Sequence, residues 1–244
     1  MKYKTINNQD LIFYRPDNTT GTVTFQNIQN GIKEFNRIMD VFHQVNIPIS
    51  EILGLRNLSA FVGEVLNQAI ATTSGNYIIK NPHQDGYPDL LIMDQIGHKL
   101  YNKYKNQLHE KGPFSPFVAG GIEVKATCGD LRSGTWFTKH KIIKPIIGQE
   151  RLRYVTGYNW KAHHQNTNNL LGIVWDFVDT KPSIIALFYS NELDITDWGK
   201  TVLPKPGSRT TSVSIMNKSG IDKMRSGLRL VIDDDNYLSD FKLY

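Results

Sequence analysis

Gly86-Tyr87-Pro88-Asp89-Leu90-Leu91-Ile92-Met93-Asp94 and Gly120-Gly121-Ile122-Glu123-Val124-Lys125-Ala126-Thr127 bound the stretch that decides the fold. Each is an apolar run of strand length; a Pro-Asp pair opens the first and an acid-x-Lys triplet interrupts the second. Side chains two apart on a strand share a face, so Glu123 and Lys125 are expected side by side. A Glu and a Lys are expensive to bury in an apolar strand unless they are paired or bound to a metal. Two carboxylates, Asp89 and Glu123, beside the Lys125 ammonium suit the holding of Mg²⁺ on a phosphodiester. A half-exposed strand with a cross-strand ion pair is the competing reading.

Placement separates this triplet from its copies. Asp179-Thr180-Lys181 precedes Pro182 in an expected turn, and Asp240-Phe241-Lys242 lies at the C-terminal end. Pro16-Asp17 also falls among turn residues, whereas Pro88-Asp89 opens an apolar run. The Gly120-Gly121 pair before the triplet allows backbone or substrate to approach closely.

Working outward toward the N-terminus, the spacing of Ile28, Ile32, Phe35, Ile38, Met39, Phe42 and Val45 predicts a helix from about Phe25 to Val45. A second helix is expected from Ser59, a good N-cap, to about Thr72. Glu64 lies off its apolar stripe and flanks a cleft or faces water. Gly75-Asn76 then turns into a short strand, Tyr77-Ile78-Ile79. Residues 1–24 carry turn signals and little periodicity. Between the two central strands, Lys99, Tyr101, Lys103, Tyr104, Lys105, Leu108 and Lys111 mark a basic insertion ending at Gly112-Pro113. It reads as a solvated surface helix or as a DNA contact.

Toward the C-terminus, a loop-rich basic region runs to Gly157, and Tyr158–Asn169 admits a helix. Leu170–Val178 and Ser183–Ser190 read as paired buried strands joined by a turn at 179–182. A strand over Thr211–Met216, a helix near Ile221–Ser226 and a strand at Leu228–Ile232 complete a mixed α/β chain. No repeat or linker demands more than one domain over residues 1–244.

The 244 residues carry 28 Lys and Arg against 23 Asp and Glu, a net charge of +5 that favours an anionic partner. The excess is concentrated. Arg132, Lys139, Lys141, Lys144, Arg151, Arg153 and Lys161 face only Glu150 between 131 and 164. Lys205, Arg209, Lys218, Lys223, Arg225 and Arg229 face only Asp222 between 205 and 229. A solvated face would show the same letters. A lone Cys128 excludes an intramolecular disulfide and fits a reducing cytoplasm. No apolar run approaches the ~18 residues of a membrane span, and no signal-peptide core follows Met1. Walker A, Rossmann and HExxH motifs are missing. His163-His164 lacks the downstream His that an HNH-type metal site needs.

Pro88-Asp89 … Glu123-Val124-Lys125 resembles the signature of the PD-(D/E)XK nucleases, particularly the type II restriction endonucleases. The order helix with Glu64, strand, Asp89 strand, Glu123 strand is similar to that family's core; the long interval from Asp89 to Glu123 departs from it. The resemblance implies a restriction-endonuclease-like core over about 59–190, with a central mixed β-sheet flanked by helices. Residues 1–58, a helical part, and 191–244 would decorate it. It implies that Asp89 and Glu123, with the Val124 carbonyl, ligate Mg²⁺, that Lys125 positions or deprotonates the attacking water, and that Glu64 supports a second metal or its water. The activity implied is sequence-specific cleavage of double-stranded DNA by a homodimer. Arg132, Lys139, Lys161, His163, His164, Arg209, Asn217 and Lys218 are the candidate DNA contacts. A repair or structure-specific nuclease, and a non-catalytic DNA-binding protein, are the alternatives.

Overall fold

The computed structural model describes residues 1–162, 165, 167–203 and 212–241, and of Arg56 only the backbone. The first 24 residues, expected to be mostly turn, form three short strands: β1 (Tyr3–Thr5), β2 (Leu11–Tyr14) and β3 (Thr20–Val23). β2 and β3 make a hairpin of their own, with Leu11, Phe13 and Val23 buried.

Helix α1 (Phe25–Gln44) follows as its periodicity predicts, capped by the Thr24 hydroxyl on the Asn27 N–H. It buries Phe25, Ile28, Ile32, Phe35 and Met39 along one stripe, each worth roughly 1.5–3 kcal/mol of transfer free energy. After a single turn, α2 (Ile49–Ile52), comes α3 (Leu55–Thr73). It starts a turn before the expected cap: Gly54 is the N-cap and Ser59 lies inside the helix. Tertiary contact overrode capping preference here, because the Ser59 hydroxyl accepts a 3.1 Å bond from the Trp175 indole. Where α1 crosses α3, a Cβ on Gly31 would lie 2.3 Å from Ile70 Cγ1, so the glycine sets how closely the helices pack.

Then come β4 (Ile78–Lys80), β5 (Leu90–Ile92), α4 (Gln95–Tyr104) within the insertion, and β6 (Gly121–Thr127). Asp94 does not extend the strand as expected. Its carboxylate caps α4 by accepting the Ile96 and Gly97 N–H bonds, and it pairs with buried Arg15. A short helix, α5 (Gly134–His140), occupies the region expected to be loop. The helix admitted over Tyr158–Asn169 is replaced by β7 (Lys161–Ala162), with Trp160 buried beside it. β8 (Leu170–Val178) and β9 (Lys181–Ser190) form the long central hairpin. Its turn is only Asp179-Thr180, both at positive φ, as a tight two-residue hairpin loop requires. β10 (Ser214–Ile215), α6 (Lys218–Ser226), β11 (Leu228–Ile232) and α7 (Asp235–Asp240) end the chain.

The main sheet has seven strands in the order β1-β11-β9-β8-β6-β5-β4, flanked by helices; β7 and β10 pair separately. Among the described residues its one parallel pair is β6–β8, with Glu123 opposite Leu170 and Lys125 opposite Gly172. A parallel pair needs a long crossover, and residues 128–169 provide it. The middle of that crossover is pinned by Asp176, fully buried on β8, whose carboxylate accepts the main-chain N–H groups of Arg151 and Leu152 at 2.8–3.1 Å. Burial pushes its carboxyl up to about 6 against the pull of those bonds.

One apolar core lies between the sheet and α1 with α3. A second lies on the opposite face, where Trp160, Met224, Tyr237 and Leu238 cover β8, β9 and β11. A small third core packs Leu91 and Met93 against Phe114 and Phe117 of the insertion. No helix among the described residues is long and apolar enough to cross a membrane.

Candidate active site

β6 outruns its antiparallel neighbour. β5 pairs with it only at Leu91–Gly121 and Leu90–Ile122, leaving the remaining residues of β6 held by β8 alone. The strands come close before they part: a Cβ on Gly121 would sit 2.0 Å from the Leu90 carbonyl oxygen, so this rung admits only glycine. The close approach expected at the glycine pair is thus made by the β5 backbone.

At the next rung, side chains replace the backbone ladder. The Asp89 N–H donates to Glu123 Oε2 at 3.2 Å, and the Val124 N–H donates to Asp89 Oδ2 at 2.9 Å. Each acid therefore ties down the backbone beside the other. Lys125, two residues along and on the same face, pairs with Glu123 and lies 3.4 Å from Asp89. Asn81 holds the turn from behind: its Nδ2 donates 2.9 Å bonds to the Pro88 and Phe114 carbonyls, and its N–H donates to Asp89 O.

The cleft opened by the departing β5 measures about 670 Å³. Asp89, Glu123, Val124 and Lys125 line one wall. Ala60, Gly63, Glu64 and Asn67, one face of α3 at helical spacing, line another, and Lys111 and Ser212 complete the rim. Glu64 stands at the edge, exposed and paired with Lys80 at 2.7 Å. Asn67 is buried, and its Oδ1 has no hydrogen-bond partner among the described residues. Sequence reading missed Asn67 and Asn81. Asn67 was within reach as the residue three past Glu64; Asn81 acts only through tertiary contacts.

Burial, followed by the charge of Glu123, pushes the Asp89 carboxyl up to about 7. Burial works against the Lys125 ammonium, yet the charges and hydrogen bonds of Glu123 and Asp89 outweigh it and hold the group protonated above its ordinary range. Tyr87, in the same wall, is raised by burial and then by Glu123.

Among the described residues, no three His, Cys, Asp or Glu side chains are grouped to hold a metal. Mg²⁺ does not need three, since it binds through one or two carboxylates and keeps waters and phosphate oxygens as its other ligands. The donor chemistry here fits that pattern. Asp89 Oδ1 accepts no bond among the described residues, and the carbonyl of an extended residue points to the same strand edge as its N–H, which directs Val124 O toward Asp89.

The expected DNA contacts are scattered. Arg132 and Lys139 lie on the crossover, Lys139 on α5 itself. Lys161 is exposed on β7, and Lys218 is exposed and paired with Asp222. Asn217 is engaged as the N-cap of α6: its side chain accepts the Gly220 N–H and donates to Thr196 O. His163, His164 and Arg209 lie outside the described residues. Comparison of the chain with protein-family models, curated proteins and solved structures finds no match.

Proposed function

We propose that the chain is a Mg²⁺-dependent endonuclease with a restriction-endonuclease-like core, cutting double-stranded DNA at a specific sequence in the manner of type II restriction enzymes. It acts in the cytoplasm as a homodimer whose two-fold axis matches that of a palindromic site. The observation that carries this reading is the meeting of Asp89, Glu123 and Lys125 on one wall of an open cleft, where β5 leaves β6.

Asp89, Glu123 and the Val124 carbonyl would hold Mg²⁺, which would supply charge neutralisation and a more acidic water. The chain's own groups do the rest. Lys125, kept as an ammonium by its two carboxylates, donates to a non-bridging phosphate oxygen and offsets the charge that builds on the pentavalent phosphorus. In that protonation state it orients the attacking water and does not accept the water's proton. The water gives one proton to bulk solvent as its oxygen bonds to phosphorus in line with O3′; the P–O3′ bond breaks, the departing O3′ takes a proton from solvent water, and the products carry a 5′-phosphate and a 3′-hydroxyl. Glu64 and Asn67 hold water on the opposite wall. Arg132, Lys139, Lys161 and Lys218, with His163, His164 and Arg209, draw in the phosphate backbone.

The test is digestion of long phage DNA with Mg²⁺ or with EDTA, beside Glu123→Ala. Discrete fragments that require both Mg²⁺ and Glu123 are expected. A smear or nicking would replace sequence specificity with a repair-type activity. DNA binding without any cleavage would end the catalytic reading.

A further inference from the structure

The crossover between β6 and β8 carries a feature that the cleavage chemistry does not use. Trp136 and His140, one turn apart on α5, stack with ring centroids 4.1 Å apart and planes 23° from parallel. The Arg132 guanidinium lies over the Trp136 ring at 4.7 Å, and the Arg153 guanidinium lies over neighbouring Tyr154 at 4.9 Å. Phe137 anchors the helix from beneath: it is buried and meets Tyr154 edge-on at 5.5 Å. That anchor does not require the Trp136–His140 stack, which extends outward to an exposed imidazole.

Charge points the same way. Lys139, Lys141, Lys144 and Arg153 are exposed around the stack. Among the described residues, none of them, nor Arg132, has a carboxylate within ion-pairing distance. Of the nearby acids, Asp130 accepts from Asn159, while Glu150 and Asp179 share a pocket with Arg153 and Tyr154 without forming an ion pair among the described residues. Unpaired cations beside a ring stack that ends in an exposed imidazole match a strand of phosphates whose bases are free to stack, since stacking needs a π-face and tolerates any base. A paired duplex hides its base faces and offers the rings nothing.

We propose that the Arg132–Trp136–His140 stack seats an unpaired nucleobase, with the flanking phosphates taken by Lys139, Lys141 and Arg153. The partner is a single-stranded segment of nucleic acid. This deepens the nucleic-acid reading of the protein and rests on it, but does not depend on cutting.

Fluorescence anisotropy in EDTA, where no cleavage occurs, tests it with labelled oligothymidylate, oligouridylate and a duplex. Trp136→Ala and His140→Ala are expected to weaken single-strand binding by about 5- to 150-fold, the range for one lost stack, and to leave duplex binding unchanged. His140→Phe, which keeps a ring, should retain the affinity. Lys139→Ala should lower the salt slope by about 0.7 on single strands, while Trp136→Ala leaves the slope intact. Comparing the two oligomers assigns DNA or RNA as the source of the base. Unchanged single-strand affinity in a folded His140→Ala protein overturns the proposal, as do equal losses on duplex and single strand. A wild-type protein that binds single strands through the stack yet never cuts DNA would leave this inference standing and remove only the nuclease reading.

Discussion

Asp89, Glu123 and Lys125 set two carboxylates beside a lysine, as does a second cluster, Asp194, Asp197 and Lys223, and the two are built to opposite ends. In the second, every carboxylate oxygen is filled. Asp194 accepts the Thr196 N–H and hydroxyl through Oδ1 and pairs with Lys223 at 3.1 Å through Oδ2. Asp197 takes Ser219 on one oxygen, and Lys223 and the Asp194 N–H on the other. These bonds, led by Thr196, lower Asp194 to about 2. Burial opposes the lowering of Asp197, but Lys223 and Ser219 overcome it. In the first cluster the acids face each other across two strands, with one Asp89 oxygen left open, and Asp89 rises to about 7. The carboxylates of the second cluster, surrounded by donors, staple a loop; those of the first share Lys125 and keep an oxygen open to the cleft.

The sharpest way to break this contrast is to alter one residue of each cluster and measure cutting of supercoiled plasmid. Glu123→Ala and Lys125→Ala should slow it by about 10²–10³-fold or more, while Lys223→Ala leaves the rate unchanged. Equal losses would show that the distinction is not functional. Stability should separate the clusters in the other direction. Asp197→Ala removes the shared acceptor of three part-buried bonds, from Ser219, Lys223 and the Asp194 N–H, and should cost about 1–3 kcal/mol, a fall in Tm of roughly 2–4 °C per kcal/mol for a chain of this size. Asp89→Asn removes a repulsion and should hold or raise the Tm.

Titration sharpens the comparison further. Asp89 binds its proton more tightly when folded, so between its ordinary value of 3.8 and about 7 its contribution to stability falls as pH rises. Asp194, lowered to about 2, contributes stability above 3.8 that is lost as pH falls toward 2. Thermal melts of Asp89→Asn and Asp194→Asn should each lose the corresponding slope. Mg²⁺ held as proposed would have to displace the Asp89 proton, so its affinity, read by calorimetry, should climb to about pH 7 and then level. The smallest effect belongs to Glu64→Ala. It removes an exposed pair with Lys80 and should change stability by less than about 1 kcal/mol, with a loss of cutting well below that of Glu123→Ala.

The two-residue alternation at Glu123 and Lys125, the apolar runs of β8 and β9 and the helical stripe of α1 were all legible because each is a local pattern. Tyr3–Thr5 was not, since its sheet partner among the described residues is Leu230–Ile232, far along the chain. Ser59 looked like a cap because capping is local, while its bond to Trp175 spans the fold. Asp94 was read as strand for want of its partner Arg15. In the site, the acids and the lysine declared themselves through the cost of burying charge, whereas Asn81 acts through carbonyls that no sequence pattern reveals. The aromatic stack on α5 went unseen because its helix is only seven residues long.

Asp176 grips the crossover by main-chain N–H groups and not by side chains. Any residue but proline offers the same N–H at positions 151 and 152, so the bonds themselves set no side chain there, although both positions are buried. Of residues 128–150, Phe137 is buried and the backbone of Leu131 and Arg132 pairs with Val155 and Tyr154, so it is the exposed remainder that is free to change. Sequence change on that exposed side is uncoupled from the cleft wall built on β6.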